Sequence, residues 1–130
     1  MFLFLVLLFS CEEQGLIVKC PDCLADEPVN CSLDIKLDIN NFGHATEIKV
    51  YEGNLEDNVI YDTFTATGSH TTITVTINKK YTITASYYVP DYFYTVVDAA
   101  TPRVRYSKDQ CDEPCFFVYD RVINLKLKGN

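Results

Sequence analysis

The stretch that decides the fold is residues 71–89, TTITVTINKKYTITASYYV. On both sides of the polar break at residues 78–80, apolar or aromatic side chains alternate with Thr or other small polar ones. The apolar set is Ile73, Val75 and Ile77 before the break, and Tyr81, Ile83, Ala85, Tyr87 and Val89 after it. A period of two gives each of two consecutive strands one apolar face and one hydroxyl-rich face. The pattern therefore predicts an antiparallel sheet that is buried on one side only, in an all-β domain.

Length and composition agree with one strand-rich domain. The chain has 130 residues, of which 48% are hydrophobic, and this is enough for a single core. Nine Tyr and eight Phe with no Trp suit the half-buried surface of a pleated sheet. The net charge is −7 and no run of Lys or Arg occurs, so binding to a nucleic-acid backbone is not expected.

Working outward from residues 71–89, further segments show the same alternation and are separated by Gly, Pro or Asn. For the strand predicted at residues 59–66, the face that points into the core is ambiguous, because Ile60 and Phe64 lie on one face and Val59 and Tyr61 on the other. The predicted strands outside the central pair are residues 31–39, 47–51, 59–66 and 92–97, with one or two more in 116–127 and a further short candidate at 103–106. No helical period is found. Seven or eight short strands predict an antiparallel two-sheet β-sandwich spanning residues 31–130.

The strand predicted before the break is followed by Asn78-Lys79-Lys80 and then by Tyr81-Thr82-Ile83-Thr84-Ala85. It resembles strand E, the E–F corner and strand F of fibronectin type III and related immunoglobulin-like domains, in which a Tyr opens strand F. The resemblance implies that the Tyr81 hydroxyl bonds back to the chain before the turn. The core Trp of those families is missing here, so a transthyretin-like sandwich remains the alternative.

The N-terminus carries a targeting signal in this interpretation. Residues 2–9 are apolar but too few to span a bilayer, and Ser10 and Cys11 follow them. The segment Leu8-Phe9-Ser10-Cys11 resembles the lipobox of bacterial lipoproteins. The resemblance implies that residues 1–10 are a signal peptide and that Cys11 is acylated, for example with palmitate, and becomes the mature N-terminus. The alternative is a hydrophobic N-terminal strand that ends in Cys.

The residues after Cys11 extend this resemblance. Glu12 and Glu13 resemble the acidic surface-export signal of lipoproteins from the Bacteroidetes group. The resemblance implies a lipid-anchored protein on the outer face of the outer membrane. Residues 11–30, which contain two Pro and several acidic residues, are then the lipidated Cys and a tether that holds the domain off the membrane.

Two close pairs of cysteines, Cys20 with Cys23 and Cys111 with Cys115, allow three interpretations. Four thiolates at such spacings suit a tetrahedral zinc site, and Cys-Pro-Asp-Cys suits a thiol redox site. Disulfides are the preferred interpretation, because an exported protein meets an oxidising environment. They would tie the tether to the loop before the last strand. Of the six cysteines, five remain after Cys11 is acylated, and we expect Cys31 to stay free as a small apolar group in the core.

No grouping of catalytic residues is found, and we predict no catalytic site, cofactor or metal site. The two histidines, His44 and His70, lie in polar, turn-like surroundings that suggest surface residues. Acidic residues near the C-terminus offer oxygen ligands for Ca²⁺ but lack the order of a known calcium loop. These residues are Asp109, Asp112, Glu113 and Asp120.

Five clustered aromatic residues are the most function-like feature: Tyr87, Tyr88, Tyr92, Phe93 and Tyr94. We expect Tyr88, Tyr92 and Tyr94 to point outward and form a binding surface for a glycan or a surface protein. The alternative is cross-strand pairing inside the core. The leading hypothesis is a non-catalytic binding or accessory structural module on a surface lipoprotein. Two alternatives are a small hydrolase or thiol redox protein of the cell envelope, and a subunit of a surface assembly.

Overall fold

The structure is a computed structural model that describes residues 20–38 and 44–127. The predicted signal peptide, Cys11 and residues 12–19 of the predicted tether lie outside the described residues, as do residue 39 of the first predicted strand and residues 40–43. Short 3₁₀ turns occur at Cys20–Asp22 and Leu55–Asp57. The strands are β1 (Asn30–Lys36), β2 (Thr46–Glu52), β3 (Ile60–Ala66), β4 (His70–Thr76), β5 (Tyr81–Val89), β6 (Tyr92–Ala100), β7 (Arg103–Ser107), β8 (Cys115–Tyr119) and β9 (Val122–Asn124). None of the helical turns in these residues is long and apolar enough to span a membrane.

The strands form a sandwich, so the predicted fold class is confirmed. One sheet has the order β4-β1-β9 and the other β3-β2-β5-β6, while β7 and β8 form a separate hairpin. All neighbours are antiparallel except β9, which runs parallel to β1. The order β3-β2-β5-β6 is the C′-C-F-G order of immunoglobulin-like sheets. Nine strands are found instead of seven or eight, and Asp120, with a φ of 56°, turns the chain between β8 and β9.

The decisive stretch crosses from one sheet to the other. β4 belongs to the three-stranded sheet and β5 to the four-stranded sheet. Between them Asn78 adopts a φ of 69°, and its N–H donates to the Pro102 carbonyl at 2.7 Å. The buried Tyr81 hydroxyl accepts a hydrogen bond from the Thr76 N–H at 3.0 Å. Tyr81 is therefore bonded back to the chain before the turn, as the tyrosine-corner resemblance predicted.

A second tyrosine, Tyr87, joins the sheets at the other end of β5. Its side chain is fully buried, and its hydroxyl donates to the Leu125 carbonyl at 2.7 Å. The same hydroxyl accepts a hydrogen bond from the Asp38 N–H at 3.0 Å. The apolar core between the sheets contains Leu33, Ile35, Leu37, Ile48, Val50, Val75, Ile83, Ala85, Ile123 and Leu125. Tyr87 thus links β5 to the segments that follow β1 and β9.

The hydroxyl-rich face of β5 is not solvated, so the prediction of one-sided burial is wrong for this strand. Thr82 and Thr84 are only 4% and 6% exposed. β5 is flanked by strands on both sides, and Tyr51 of β2 lies directly opposite Thr82. The Thr82 hydroxyl also donates to the Gly53 carbonyl at 2.7 Å. Short threonine side chains on a central strand are covered by the longer side chains of their neighbours.

The ambiguity of β3 is resolved by a change of register. The pairing of β2 with β3 shifts between Val50 and Tyr51, and Tyr61 has no partner in this register. Tyr61 packs edge-on against the Tyr81 ring with the centroids 5.3 Å apart. Its hydroxyl donates to the Thr74 carbonyl of β4 at 2.8 Å. Tyr61 therefore bridges the two sheets along one side of the sandwich, while Phe64 packs against the core.

Candidate functional site

Two disulfides fasten the N-terminal segment to the β7–β8 hairpin, which confirms the predicted use of these four cysteines. Cys20 is bonded to Cys111, and Cys23 to Cys115. Beside them Leu24 forms a bridge with Phe116, with reciprocal backbone hydrogen bonds of 2.6 and 2.7 Å. The C-terminal part of the predicted tether therefore belongs to the folded unit.

Cys31 is the free thiol among the described cysteines, as predicted. It is partly buried and packs against the core, and burial raises the pKa of its thiol, with Arg121 opposing the shift. It lines a cleft of about 460 Å³ between the N-terminal segment and β8, together with Arg121 and Phe117. A thiol with a raised pKa is largely protonated at neutral pH and is a poor nucleophile.

The β5–β6 hairpin ends in an exposed aromatic group. The two-residue connection Pro90-Asp91, with Asp91 at a φ of 72°, sets Val89 opposite Tyr92. Phe93 is 75% exposed, Tyr92 64% and Tyr94 48%, whereas Tyr88 is half-buried. We call the four side chains of Tyr88, Tyr92, Phe93 and Tyr94 the aromatic hairpin end.

The three predicted surface tyrosines are exposed or half-buried, but they do not share one face of the sheet. In the register of the hairpin, Tyr94 lies opposite the buried Tyr87, and Tyr88 lies opposite Phe93. Tyr92 and Tyr94 are therefore on the core side of the sheet, yet both are exposed, with their rings 6.3 Å apart. Tyr88 and Phe93 are on the outer side, with ring centroids 5.4 Å apart. The aromatic hairpin end thus presents rings on both sides of one strand pair.

Polar groups surround the outer half of this surface. The His44 ring lies 4.4 Å from the Tyr88 ring, and Glu47 and Ser86 line the same cleft of about 320 Å³. Sequence reasoning omitted His44 and Phe93 from the surface. Phe93 was within reach of that reasoning, because a two-residue turn after Val89 already fixes Tyr88 opposite Phe93. His44 was not, because its distance from Tyr88 in sequence gives no sign of the contact.

The remaining predicted polar residues are dispersed. His70 begins β4 instead of lying in the preceding turn, and its Nε2 is 3.9 Å from an Asp34 carboxylate oxygen. The Asp120 carboxylate accepts a hydrogen bond from the Thr101 N–H, while Asp112 and Glu113 line a cleft beside the disulfides. In the described part of the chain, the acidic residues considered for Ca²⁺ do not form a group of converging ligand atoms.

Comparison with known proteins adds no relative: no protein-family model, no curated protein and no solved structure matches this chain.

Proposed function

We propose that this chain is a lipid-anchored protein of the bacterial cell surface, and that its β-sandwich is a non-catalytic binding module. The aromatic hairpin end is the contact surface in this proposal. The lipobox-like segment Leu8-Phe9-Ser10-Cys11 and the acidic pair after it support the anchor and the surface location. The binding role is supported by the geometry of β5 and β6.

The exposure of three consecutive aromatic side chains carries the proposal. Tyr92, Phe93 and Tyr94 are each about half or more exposed, although β6 is paired with β5 over its whole length. Soluble proteins seldom leave contiguous apolar surface uncovered unless it binds something. Rings held on a paired strand lose little conformational entropy on binding, and Tyr is enriched among residues that dominate interface energies.

The aromatic hairpin end lies far from the point at which the chain enters the sandwich. The N-terminal segment enters β1 at Asn30, which lies opposite Thr76 at the Tyr81 corner. β5 leaves that corner and runs for nine residues, about 26 Å at 3.3 Å per step, to the aromatic hairpin end. The start of β1 and the proposed binding surface are therefore at opposite ends of the sandwich.

Binding is tested with a pair of matched variants. The double variant Phe93→Ser, Tyr94→Ser removes two exposed rings, and the control Val59→Ser, Ile60→Ser removes two exposed apolar side chains beside β3, at the other edge of the same sheet. We expect the wild type and the control to retain a ligand from an array of glycans and extracellular protein domains. The aromatic variant should lose at least about tenfold in affinity, or 1.4 kcal/mol. Equal affinities of all three proteins for that ligand would contradict the proposal, as would no ligand at all.

The anchor is tested separately by mass spectrometry of protein extracted from membranes. We expect a mature chain that starts at Cys11 and carries acyl groups, and a Cys11→Ser variant that is released from the membrane fraction. An intact Met1 or an unmodified Cys11 thiol would contradict the lipid anchor and leave the binding test unaffected.

A second candidate, a subunit of a surface assembly, is favoured by the position of β6. This strand is at the edge of its sheet, has nine residues without Pro, and contains one charged residue, Asp98. Long edge strands with few charges are sites for pairing with another chain. A Val97→Lys variant places a charge on this edge, and in this alternative it should abolish oligomers seen by analytical ultracentrifugation. A monomeric wild type would exclude self-assembly.

A further inference from the structure

The two disulfides are neighbours and form one cluster of sulfur atoms. The Sγ atoms of Cys23, Cys111 and Cys115 all lie within 4.8 Å of one another, and the fourth sulfur, that of Cys20, is bonded to Cys111. The four sulfurs line a single cleft of about 380 Å³ that opens to solvent. The cysteines thus meet in one place although the two pairs are about 90 positions apart in sequence.

We propose that, when both disulfides are reduced, Cys20, Cys23, Cys111 and Cys115 bind one Zn²⁺ ion as four thiolates. This site is separate from the aromatic hairpin end and does not depend on the function proposed for it. The spacings of two and three residues within the pairs both fall in the range found between zinc ligands.

The geometry fits a tetrahedral ion with small movements. Zn–S bonds of about 2.3 Å place the four sulfurs about 3.8 Å apart. The Cys111 sulfur already lies within 4.8 Å of both sulfurs of the Cys23–Cys115 disulfide. A disulfide holds its sulfurs about 2 Å apart, so opening each one to 3.8 Å moves each sulfur by about 1 Å.

The backbone keeps the pairs together after the disulfides are broken. The reciprocal hydrogen bonds between Leu24 and Phe116 lie next to Cys23 and Cys115 and do not depend on sulfur chemistry. Asp112 and Glu113 line the same cleft and add negative charge, which attracts a divalent cation. The cleft itself gives the ion a path from solvent.

Reduction of the two disulfides requires a reductant such as a dithiol. Each disulfide takes two electrons and two protons from one molecule of a dithiol, which becomes a cyclic disulfide. Two dithiols therefore produce four thiols, and Zn²⁺ then replaces the four thiol protons. In this way the N-terminal segment stays fastened to the β7–β8 hairpin in a reducing environment by zinc and in an oxidising one by disulfides.

The test uses the full chain with Cys11→Ser, so that an unacylated Cys11 cannot supply a ligand. The protein is reduced with a phosphine and titrated with Co²⁺ and then Zn²⁺. We expect the absorption of tetrahedral cobalt with thiolate-to-metal charge transfer, saturating at one ion per chain, and displacement by one Zn²⁺. The double variant Cys23→Ser, Cys115→Ser should lose the thiolate spectrum and more than about 100-fold in affinity. Cys31→Ser is the matched control and should bind as the parent does.

Four results would overturn the proposal. One is a reduced parent protein that shows no tetrahedral cobalt spectrum. Another is a spectrum that survives removal of Cys23 and Cys115. The third is a spectrum that disappears with Cys31→Ser. Each of these two results would place the ion at other residues. Far-UV circular dichroism of the reduced chain accompanies the titration, and a reduced chain that stays unfolded after zinc is added counts against the proposal as well.

Discussion

Replacing Tyr87 with Phe removes one hydroxyl and two hydrogen bonds that join the sheets. The ring remains, so the apolar core keeps its volume, but the Asp38 N–H and the Leu125 carbonyl both lose the Tyr87 hydroxyl. A buried backbone group that loses its partner costs about 1–3 kcal/mol. Leu125 is fully buried, whereas Asp38 is only partly so and water can replace part of its loss. We expect Tyr87→Phe to lower the free energy of unfolding by about 2 kcal/mol.

The assay is equilibrium unfolding in urea, followed by far-UV circular dichroism with the disulfides intact. Tyr81→Phe removes one hydrogen bond, from the Thr76 N–H, and should cost about 1 kcal/mol. Tyr92→Phe is the control, because Tyr92 is 64% exposed, and it should change stability by less than about 0.5 kcal/mol. The predicted order of losses is Tyr87, Tyr81, Tyr92. A Tyr87→Phe protein as stable as the Tyr92→Phe protein would refute the structural role given to this hydroxyl.

Three further predictions concern pH, the disulfides and the last strand. Burial raises the pKa of Tyr87 above its ordinary 10.0 and that of Cys31 above 9.0. The folded chain therefore holds these protons at a pH where the unfolded chain releases them. The urea midpoints of unfolding should be unaffected by these groups below about pH 8 and should fall as the pH rises through 9 and 10. Midpoints that rise in this pH range would contradict the prediction. Removing the Cys23–Cys115 disulfide with Cys23→Ala, Cys115→Ala should lower the free energy of unfolding by about 2 kcal/mol, because the Cys20–Cys111 disulfide still closes a loop with a sequence separation of 91. A loss above about 4 kcal/mol would show that the two disulfides do not constrain the same loop. Ile123→Ala in β9 should cost about 3 kcal/mol, and a loss below about 1 kcal/mol would mean that β9 is dispensable.

The main architecture could be predicted from the sequence because it follows from local residue patterns. The alternation on both sides of residues 78–80 predicted β4, β5 and the corner between them, and Tyr81 carried the hydrogen bond expected of it. The strand predicted at residues 92–97 corresponds to the first two thirds of β6. The choice of Cys31 as the free cysteine also followed from the sequence, because the other four described cysteines occur in two close pairs and Cys31 lies in a strand.

What the sequence did not disclose depends on contacts between distant segments. The pairing of Cys20 with Cys111 was one of several connectivities that spacing allows. The burial of Thr84 follows from the central position of β5, which no local pattern reports. The contact of His44 with Tyr88 joins the segment before β2 to the end of β5. The placement of Phe93 in the surface required only the hairpin register, and this was the avoidable error.

Hydroxyl-radical footprinting on intact cells tests the aromatic hairpin end most directly, because it needs no knowledge of the ligand. The oxidation rates of Tyr92, Phe93 and Tyr94 are compared between cells that display the protein and the purified protein, and Ile60 serves as the exposed reference. We predict that the three aromatic residues are protected at least about threefold on cells while Ile60 is oxidised equally in both. Equal oxidation of all four residues on cells and in solution would contradict the binding surface proposed for this protein.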